Sequence, residues 1–384
     1  MKVLHVIDHM GLGGEQRVVL DLAAMHGPDV APIAWSLRSH DLPGVSDRMA
    51  GAGVPYRSFG LSPRNPLAVL DMRRRLRHER PDVLHLHLEY STLVGVLTAL
   101  SLPAPRPVLV ASVANDPFRQ GRFHQWAGRR LAPSIDLHVT HSRGIRDSVL
   151  SAYAGRPRRV EVVSLGIDLR RFDRALAQAD RVAEYRRGAG RVVGAIGRLV
   201  PQKAMHVLVG ATPALLQADP ATRVLIVGDG PLRADLEAQA ARLGVAHAVR
   251  FAGYQEDVVS AYAAMDVFVL PSRDEGFGLV FLEAMAMGVP VVGTRVIGSE
   301  DAVDDGVTGL LVPYANPAAL AAAVRGILES SELASRLREA AADRVRRVYS
   351  REQCAAQVEG LYRELLEGRA KSSPLPGRAA RSSS

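Results

Sequence analysis

The sequence predicts an α/β protein made of two doubly wound parallel sheets. Three observations carry that expectation: a length of 384 residues, short apolar runs alternating with helical stretches, and a restart of the same pattern near residue 191. One compact core rarely serves a chain this long, so two domains of roughly 150 to 200 residues are expected. Apolar runs separated by helices are the pattern of a parallel sheet covered on both faces.

Taken in order, the first-half strands are VLHVID (3 to 8), APIAWSL (31 to 37), DVLHLHL (82 to 88), PVLVASV (107 to 113), LHVTHS (137 to 142) and VEVVSLG (160 to 166). The second half begins again with RVVGAIGRL (191 to 199), TRVLIVGDG (222 to 230), VRFAGY (249 to 254), VFVLPS (267 to 272), PVVGTRV (290 to 296) and GLLVP (309 to 313). This gives an N-terminal domain over 1–175 and a second over 191–350, joined by the polar, charged stretch 168–190. A helix over 351–368 follows, placed to cross back to the first domain, and the Ser-, Pro- and Arg-rich tail 369–384 is expected to be disordered.

Composition narrows the class. Hydrophobic residues make up 47% and charged residues 23%, and no run of about 18 uncharged apolar residues reaches transmembrane length. The start, MKVLHVIDHM, lacks the architecture of a secretory signal, and the single cysteine, Cys354, excludes an internal disulfide; both point to the cytoplasm. The net charge of +8, carried mainly by arginine, suits polyanions or anionic lipid headgroups, and equally suits solvated helix faces. No zinc spacing, aromatic RNA-binding signature or basic repeat supports nucleic acid as a partner.

Ligands of open parallel sheets bind beyond the carboxyl ends of the strands, so the loops there are the places to look. The first, DHMGLGGEQRVVLDLA, brings Gly13 and Gly14 to the start of a helix, where backbone amides either meet an anion or simply turn the chain. It is not a G-x-G-x-x-G fingerprint, since Gln16 stands where a glycine would. GAIGRLVPQK places Arg198 and Lys203 beside a new helix start, either a pyrophosphate site or two solvated charges. The glycines of LIVGDGPLRADL are accounted for by turn geometry. In SRDEGFGLVFLEAMAMGVPVV, Glu275 precedes a helix starting near Leu279 and Glu283 falls on its second turn. The amides of Phe277, Gly278 and Leu279 are free to point at an anion. A carboxylate in so apolar a helix needs a partner, either ribose hydroxyls or an arginine.

Together these segments resemble the retaining nucleotide-sugar glycosyltransferases of family 4 (glycosyl transferases group 1), which share the GT-B fold of two Rossmann-like domains facing a central cleft. The carriers are the E-x7-E pair Glu275 and Glu283 in EGFGLVFLE, GRLVPQK, the GDGP turn, GLGGEQ, SLGIDLRRF at the domain junction, DVLHLH, and GSEDAVDDGVTGLLVP with the helix after it. The resemblance runs to about residue 367, and the order of the motifs is more specific than any one of them. It implies a nucleotide-sugar co-substrate, UDP favoured over GDP, with no other cofactor and no metal. Arg198 and Lys203 would hold the pyrophosphate and, with Glu275 at the transferred sugar, carry the catalysis. Glu283 would bind ribose; Phe277, Gly278 and Leu279 would bind phosphate or sugar; Gly13 and Gly14 would meet the diphosphate; the segment around Gly253 would frame the base. The reaction implied keeps the sugar's configuration, with the acceptor attacking from the leaving-group side and phosphate taking its proton.

The acceptor side departs from the family. Where many relatives carry a histidine after the fourth strand of the first domain, VLVASVANDPF has Ala114, followed by Asn115 and Asp116. Those two residues and His87 are the acceptor-side candidates. PFRQGRFHQWAGRRL (117 to 131) combines Phe123, Trp126, Ala127 and Leu131 on one helical face with Arg119, Arg122, Arg129 and Arg130 around it. That profile fits either an anionic membrane surface, with a glycan or lipid-linked acceptor and peripheral attachment to the inner leaflet, or a packed helix with a solvated arginine face. The competing functions are a GT-B nucleotide-sugar epimerase, a dinucleotide-dependent dehydrogenase and a non-catalytic sugar-binding subunit.

Overall fold

The computed structural model describes residues 1–11, 13–38, 41–61 and 67–372. Seven parallel strands form the first sheet: β1 (Lys2–Ile7), β2 (Ala31–Ser36), β3 (Tyr56–Ser58), β4 (Val83–His87), β5 (Val108–Val113), β6 (Leu137–Thr140) and β7 (Val160–Val162), in the order β3-β2-β1-β4-β5-β6-β7. The second sheet holds β8 (Arg191–Ile196), β9 (Thr222–Val227), β10 (Val249–Gly253), β11 (Val267–Leu270), β12 (Val291–Thr294) and β13 (Leu310–Val312), in the order β10-β9-β8-β11-β12-β13. The chain therefore reverses direction across each sheet at one place, between β1 and β4 and between β8 and β11, which is where doubly wound sheets open a crevice. Both sheets are covered by helices, and the two Rossmann-like units match the α/β class read from the sequence.

β3 is the strand that the sequence reading did not anticipate. Its three residues, Tyr56, Arg57 and Ser58, form no apolar run, because the strand sits at the sheet edge with Arg57 and Ser58 exposed. The linker 168–190 contains a helix, Ala179–Arg186, and the last helix runs Arg351–Ser372, past the expected end at 368. Within the tail expected at 369–384, residues 369–372 are thus helical, while 373–384 lie outside the described residues.

Side-chain alternation along the central strands decides what each face carries. On β1 and β4, Leu4, Val6, Leu84 and Leu86 pack into one core, while Val3 and Val83 pack into the other. His5, His85 and His87 share the second face, and the register pairs His5 with His85. The last helix docks there: Glu359 accepts the Gly27 amide at 3.0 Å, and the Tyr362 hydroxyl meets His85 Nδ1 at 2.5 Å. Chain from the second half thus closes over the first sheet. At the junction, Ile167 pairs with Ser350, and Arg351 bridges Asp168 at 3.0 Å and Asp21 at 3.5 Å.

Candidate functional site

The carboxyl ends of the two sheets face each other across a cavity of about 550 Å³. After β8 the chain runs through Gly197 and the exposed Arg198, and a single 3-10 turn, Pro201–Lys203, carries Lys203 to the cavity wall. Lys203 Nζ lies 2.6 Å from Glu275 Oε1, and the Ser272 hydroxyl donates to the same oxygen at 2.5 Å. Both charged side chains are largely buried, at 15% and 5% exposure, so the pair is little screened by water. Gly228 closes this corner at φ +132°, where a Cβ would meet the Gly197 carbonyl oxygen at 2.0 Å.

The turn after β11 behaves as its glycines demand. Gly278 takes φ +88°, the left-handed region, and starts the helix Leu279–Ala286. Phe277, Gly278 and Leu279 line the cavity, with the Phe277 ring edge-on to Tyr349 at 5.6 Å. Glu283 lies one turn deeper, outside the cavity wall, and the Tyr262 hydroxyl donates to its Oε2 at 2.8 Å. Burial pushes its carboxyl above the usual range, against Arg17, the Tyr262 bond and Arg171. Gly253 ends β10 behind the wall, and its neighbours Tyr254 and Gln255 reach the cavity instead.

The first-domain wall is built from the segments that follow β1, β4, β5, β6 and β7. Gly13 and Gly14 are exposed to the cavity, directly before Glu15 on the first turn of the helix Gly14–Ala24. Glu15 Oε1 accepts from His87 Nδ1 at 2.8 Å, and His141 Nε2 stands 3.5 Å from Oε2. Burial would raise this carboxyl, but the hydrogen bonds and charges of His141 and His87 bring it down to about 2. His87 is fully buried and works beneath the wall. Its Nε2 meets His5 Nδ1 at 3.2 Å, and His5 Nε2 meets His26 Nε2 at 3.0 Å.

His5, His85 and His87 offer nitrogens within 4.8 Å of one another, a spacing that invites comparison with a metal site. Their nitrogens are engaged by Glu15, His26, Ser112, Tyr362 and each other, so the donor set is already spent on hydrogen bonds. Burial drives His5 and His85 well below the ordinary histidine range, which keeps both rings neutral.

Ala114 and Asn115 line the cavity, and a Cβ on Gly276 would meet the Ala114 carbonyl oxygen at 2.0 Å, so the two walls touch here. Asp116 is occupied as a cap, accepting the Phe118 amide at 3.0 Å. Glu15 and His141 are among the cavity residues that sequence reasoning missed, with His9, Gln202, Tyr254 and Gln255. Glu15 and His141 both follow a strand end, Glu15 on the first turn of the next helix and His141 in a loop, the same signal that singled out Arg198, but the segments GLGGEQ and LHVTHS were read for their glycines and apolar run. The expected face of 117–131 is also revised. Phe118, Phe123 and Trp126 are 53%, 57% and 61% exposed, and in the helix Arg122–Leu131 only Ala127 is buried.

Comparison with known proteins agrees with this architecture. Residues 12–171 match the family described as Glycosyltransferase Family 4, and residues 190–330 match Glycosyl transferases group 1. A D-inositol 3-phosphate glycosyltransferase of Geodermatophilus obscurus is 36% identical over 323 residues, covering 76% of this chain and 70% of that protein. The same-named protein of Corynebacterium urealyticum is 35% identical over 277 residues, covering 67% of this chain and 65% of its own length. The chain thus spans about two thirds of the length of these relatives. Among solved structures, Anabaena Alr3699/HepE in complex with UDP and glucose superposes with a TM-score of 0.82 at 23% identity, over 95% of this chain and 100% of that one.

Proposed function

The chain belongs to glycosyltransferase family 4, and on that premise we propose that it moves a sugar from a nucleotide-diphosphate donor, UDP-linked in preference to GDP-linked, onto an acceptor hydroxyl with retention of configuration. The observation that carries this reading is the Lys203–Glu275 pair, set beside Arg198 and opposite the Gly13–Gly14 turn in one cavity. A fixed ammonium and a guanidinium at the start of a helix supply the positive field that a departing diphosphate needs, a duty otherwise given to a metal ion. Glu275 is placed to accept hydroxyl bonds from the sugar. The UDP and glucose held by the Anabaena protein support the choice of donor.

On this reading the acceptor enters over Ala114 and Asn115 and attacks from the side the diphosphate leaves, its proton moving toward a phosphate oxygen. The relatives' names make inositol 3-phosphate the first acceptor to assay, beside lipid-linked glycans of polysaccharide synthesis. Peripheral attachment to an anionic leaflet is supported by the exposed Phe118, Phe123 and Trp126 among Arg119, Arg122, Arg129 and Arg130. Among the described residues no helix is long and apolar enough to cross a membrane.

Thermal shift with UDP, GDP and their sugars tests the donor. A nucleotide at 100 times its dissociation constant adds about 2.7 kcal/mol of stability. Nuclear magnetic resonance of the turnover mixture then reports the anomeric configuration of the product. Isomerised donor formed without acceptor would replace this reading with an epimerase.

A further inference from the structure

We propose that Glu15 and His141 form a proton-accepting pair on the first-domain wall, with His141 Nε2 as the atom on which the acceptor's hydroxyl proton comes to rest. This rests on the transfer reaction proposed above and adds to it the groups that handle its proton.

Three observations place the pair. Glu15 and His141 both line the cavity, and each side chain is only 4% exposed. His141 Nδ1 donates to the Val163 carbonyl at 3.1 Å, which fixes the ring's single neutral proton on that nitrogen. In the neutral ring Nε2 is then bare: among the described residues its nearest polar neighbour is Glu15 Oε2 at 3.5 Å, which offers it no proton. A lone pair set against a carboxylate is repulsive until a proton stands between them, so the arrangement is built to take up one proton at one atom.

The groups behind Glu15 keep it in the ionised form that this requires. His87 Nδ1 donates to Oε1, and His87 Nε2 accepts from His5, whose own Nε2 accepts from His26. His85 stays out of this chain, held by Tyr362 and Ser112. The titratable and charged groups around His141 are Glu15 from the helix Gly14–Ala24, with His87 behind it, the neutral His85 from β4, and, across the cavity, Arg198, Lys203 and Glu275.

The chemistry balances. The acceptor O–H bond and the sugar–phosphate C–O bond break, and the new glycosidic C–O bond forms. The electrons of the broken C–O bond stay on the diphosphate. The proton passes by way of the departing phosphate oxygen to Glu15 and on to His141 Nε2, leaving an imidazolium–carboxylate pair that water discharges when the cavity empties.

Nitrogen-15 resonance of histidine-labelled full-length protein, with no substrate present, tests the pair itself. The neutral His141 ring should carry its proton on Nδ1, and Glu15→Gln should lower the pH at which Nε2 is protonated. A neutral Nε2–H form, or a titration unmoved in Glu15→Gln, overturns the proposal. With UDP-glucose and water as the acceptor, His141→Gln should retain UDP affinity within about twofold while kcat falls about 10²-fold and its acid limb disappears. Wild-type turnover with an unchanged pH profile in that variant also overturns it. Absence of UDP binding by the wild-type protein would instead sink the donor assignment, and the resonance measurement still decides the pair. Should His141→Gln fail to fold, Glu15→Gln, which keeps both hydrogen-bonding oxygen and shape, supplies the same kinetic comparison.

Discussion

Lys203 and Glu275, 72 residues apart in the chain, meet at 2.6 Å on the cavity wall. The two are the functional ends of different strands, β8 and β11, which lie side by side at the reversal point of the second sheet. Their contact neutralises each and fixes both side chains on the cavity wall.

Glu275→Gln keeps the shape of this side chain and removes its charge. Turnover should fall by about 10²-fold or more while UDP affinity changes little, because the proposed contact is to the sugar and not to the nucleotide. Isothermal titration with UDP and initial rates with UDP-glucose measure the two separately. Rates equal to wild type would show that Glu275 has no part in the reaction.

Lys203→Ala should weaken both steps. Loss of one charged donor at a developing anion typically costs about 3 kcal/mol in transition-state stabilisation, which would be read as kcat/KM, with a smaller loss in UDP binding. A variant that binds UDP normally and turns over normally would remove Lys203 from the site.

Glu283 makes stability depend on pH. Its carboxyl is raised above the ordinary value of 4.5, with burial as the largest cause. A raised carboxyl favours the folded protein most below the unfolded value, and that contribution is lost as pH rises through the folded value. Glu283→Gln should therefore flatten the fall in stability as pH rises from about 4.5. Glu15 works in the opposite sense, since its value of about 2 gives stability above 4.5 that is lost as acid is added. Denaturant melts of the two variants across pH 3 to 7 should show slopes altered in opposite directions. Tyr262→Phe should cost about 1 to 3 kcal/mol, because it leaves the buried Glu283 oxygen unsatisfied.

Gly276 lies where the two walls touch. A methyl there would meet the Ala114 carbonyl oxygen at 2.0 Å, backbone that cannot swing aside. Gly276→Ala should leave each sheet folded by circular dichroism, yet lower turnover by holding the walls apart. Unimpaired activity would mean that the reaction does not need this approach.

The exposed aromatic surface is tested with vesicles of phosphatidylglycerol. Wild-type protein should sediment with them at low salt and less at high salt, since surface charge attraction is screened. Trp126→Ala combined with Arg129→Ala and Arg130→Ala should abolish sedimentation. Stability should change by less than about 0.5 kcal/mol per site, as these side chains are exposed. Binding that survives the triple change excludes this helix as the anchor.

Much of this was legible along the chain. Buried parallel strands need continuous apolar residues, so twelve of the strands announced themselves, and ligand loops follow strand ends, so Arg198, Lys203 and Glu275 stood out. The edge strand Tyr56–Ser58 did not, because a half-exposed strand of three residues carries no apolar run. The basic segment 117–131 was legible as amphipathic, but its amphipathic pattern cannot say whether the aromatic face meets protein or solvent.

Pairings between distant segments were decided only by the tertiary structure. Glu283 asked in the sequence for a partner, and the fold supplied Tyr262, 21 residues earlier. Glu15 and His141 lie 126 residues apart, and nothing local to either names the other. Parallel strands join through crossovers, so neighbours in a sheet are set by strand order and not by distance along the chain. Local physics fixed which residues form strands, turns and helix starts. Sheet order then brought carboxylates, imidazoles and cations together at the two reversal points, where desolvation gives their contacts most of their energetic weight.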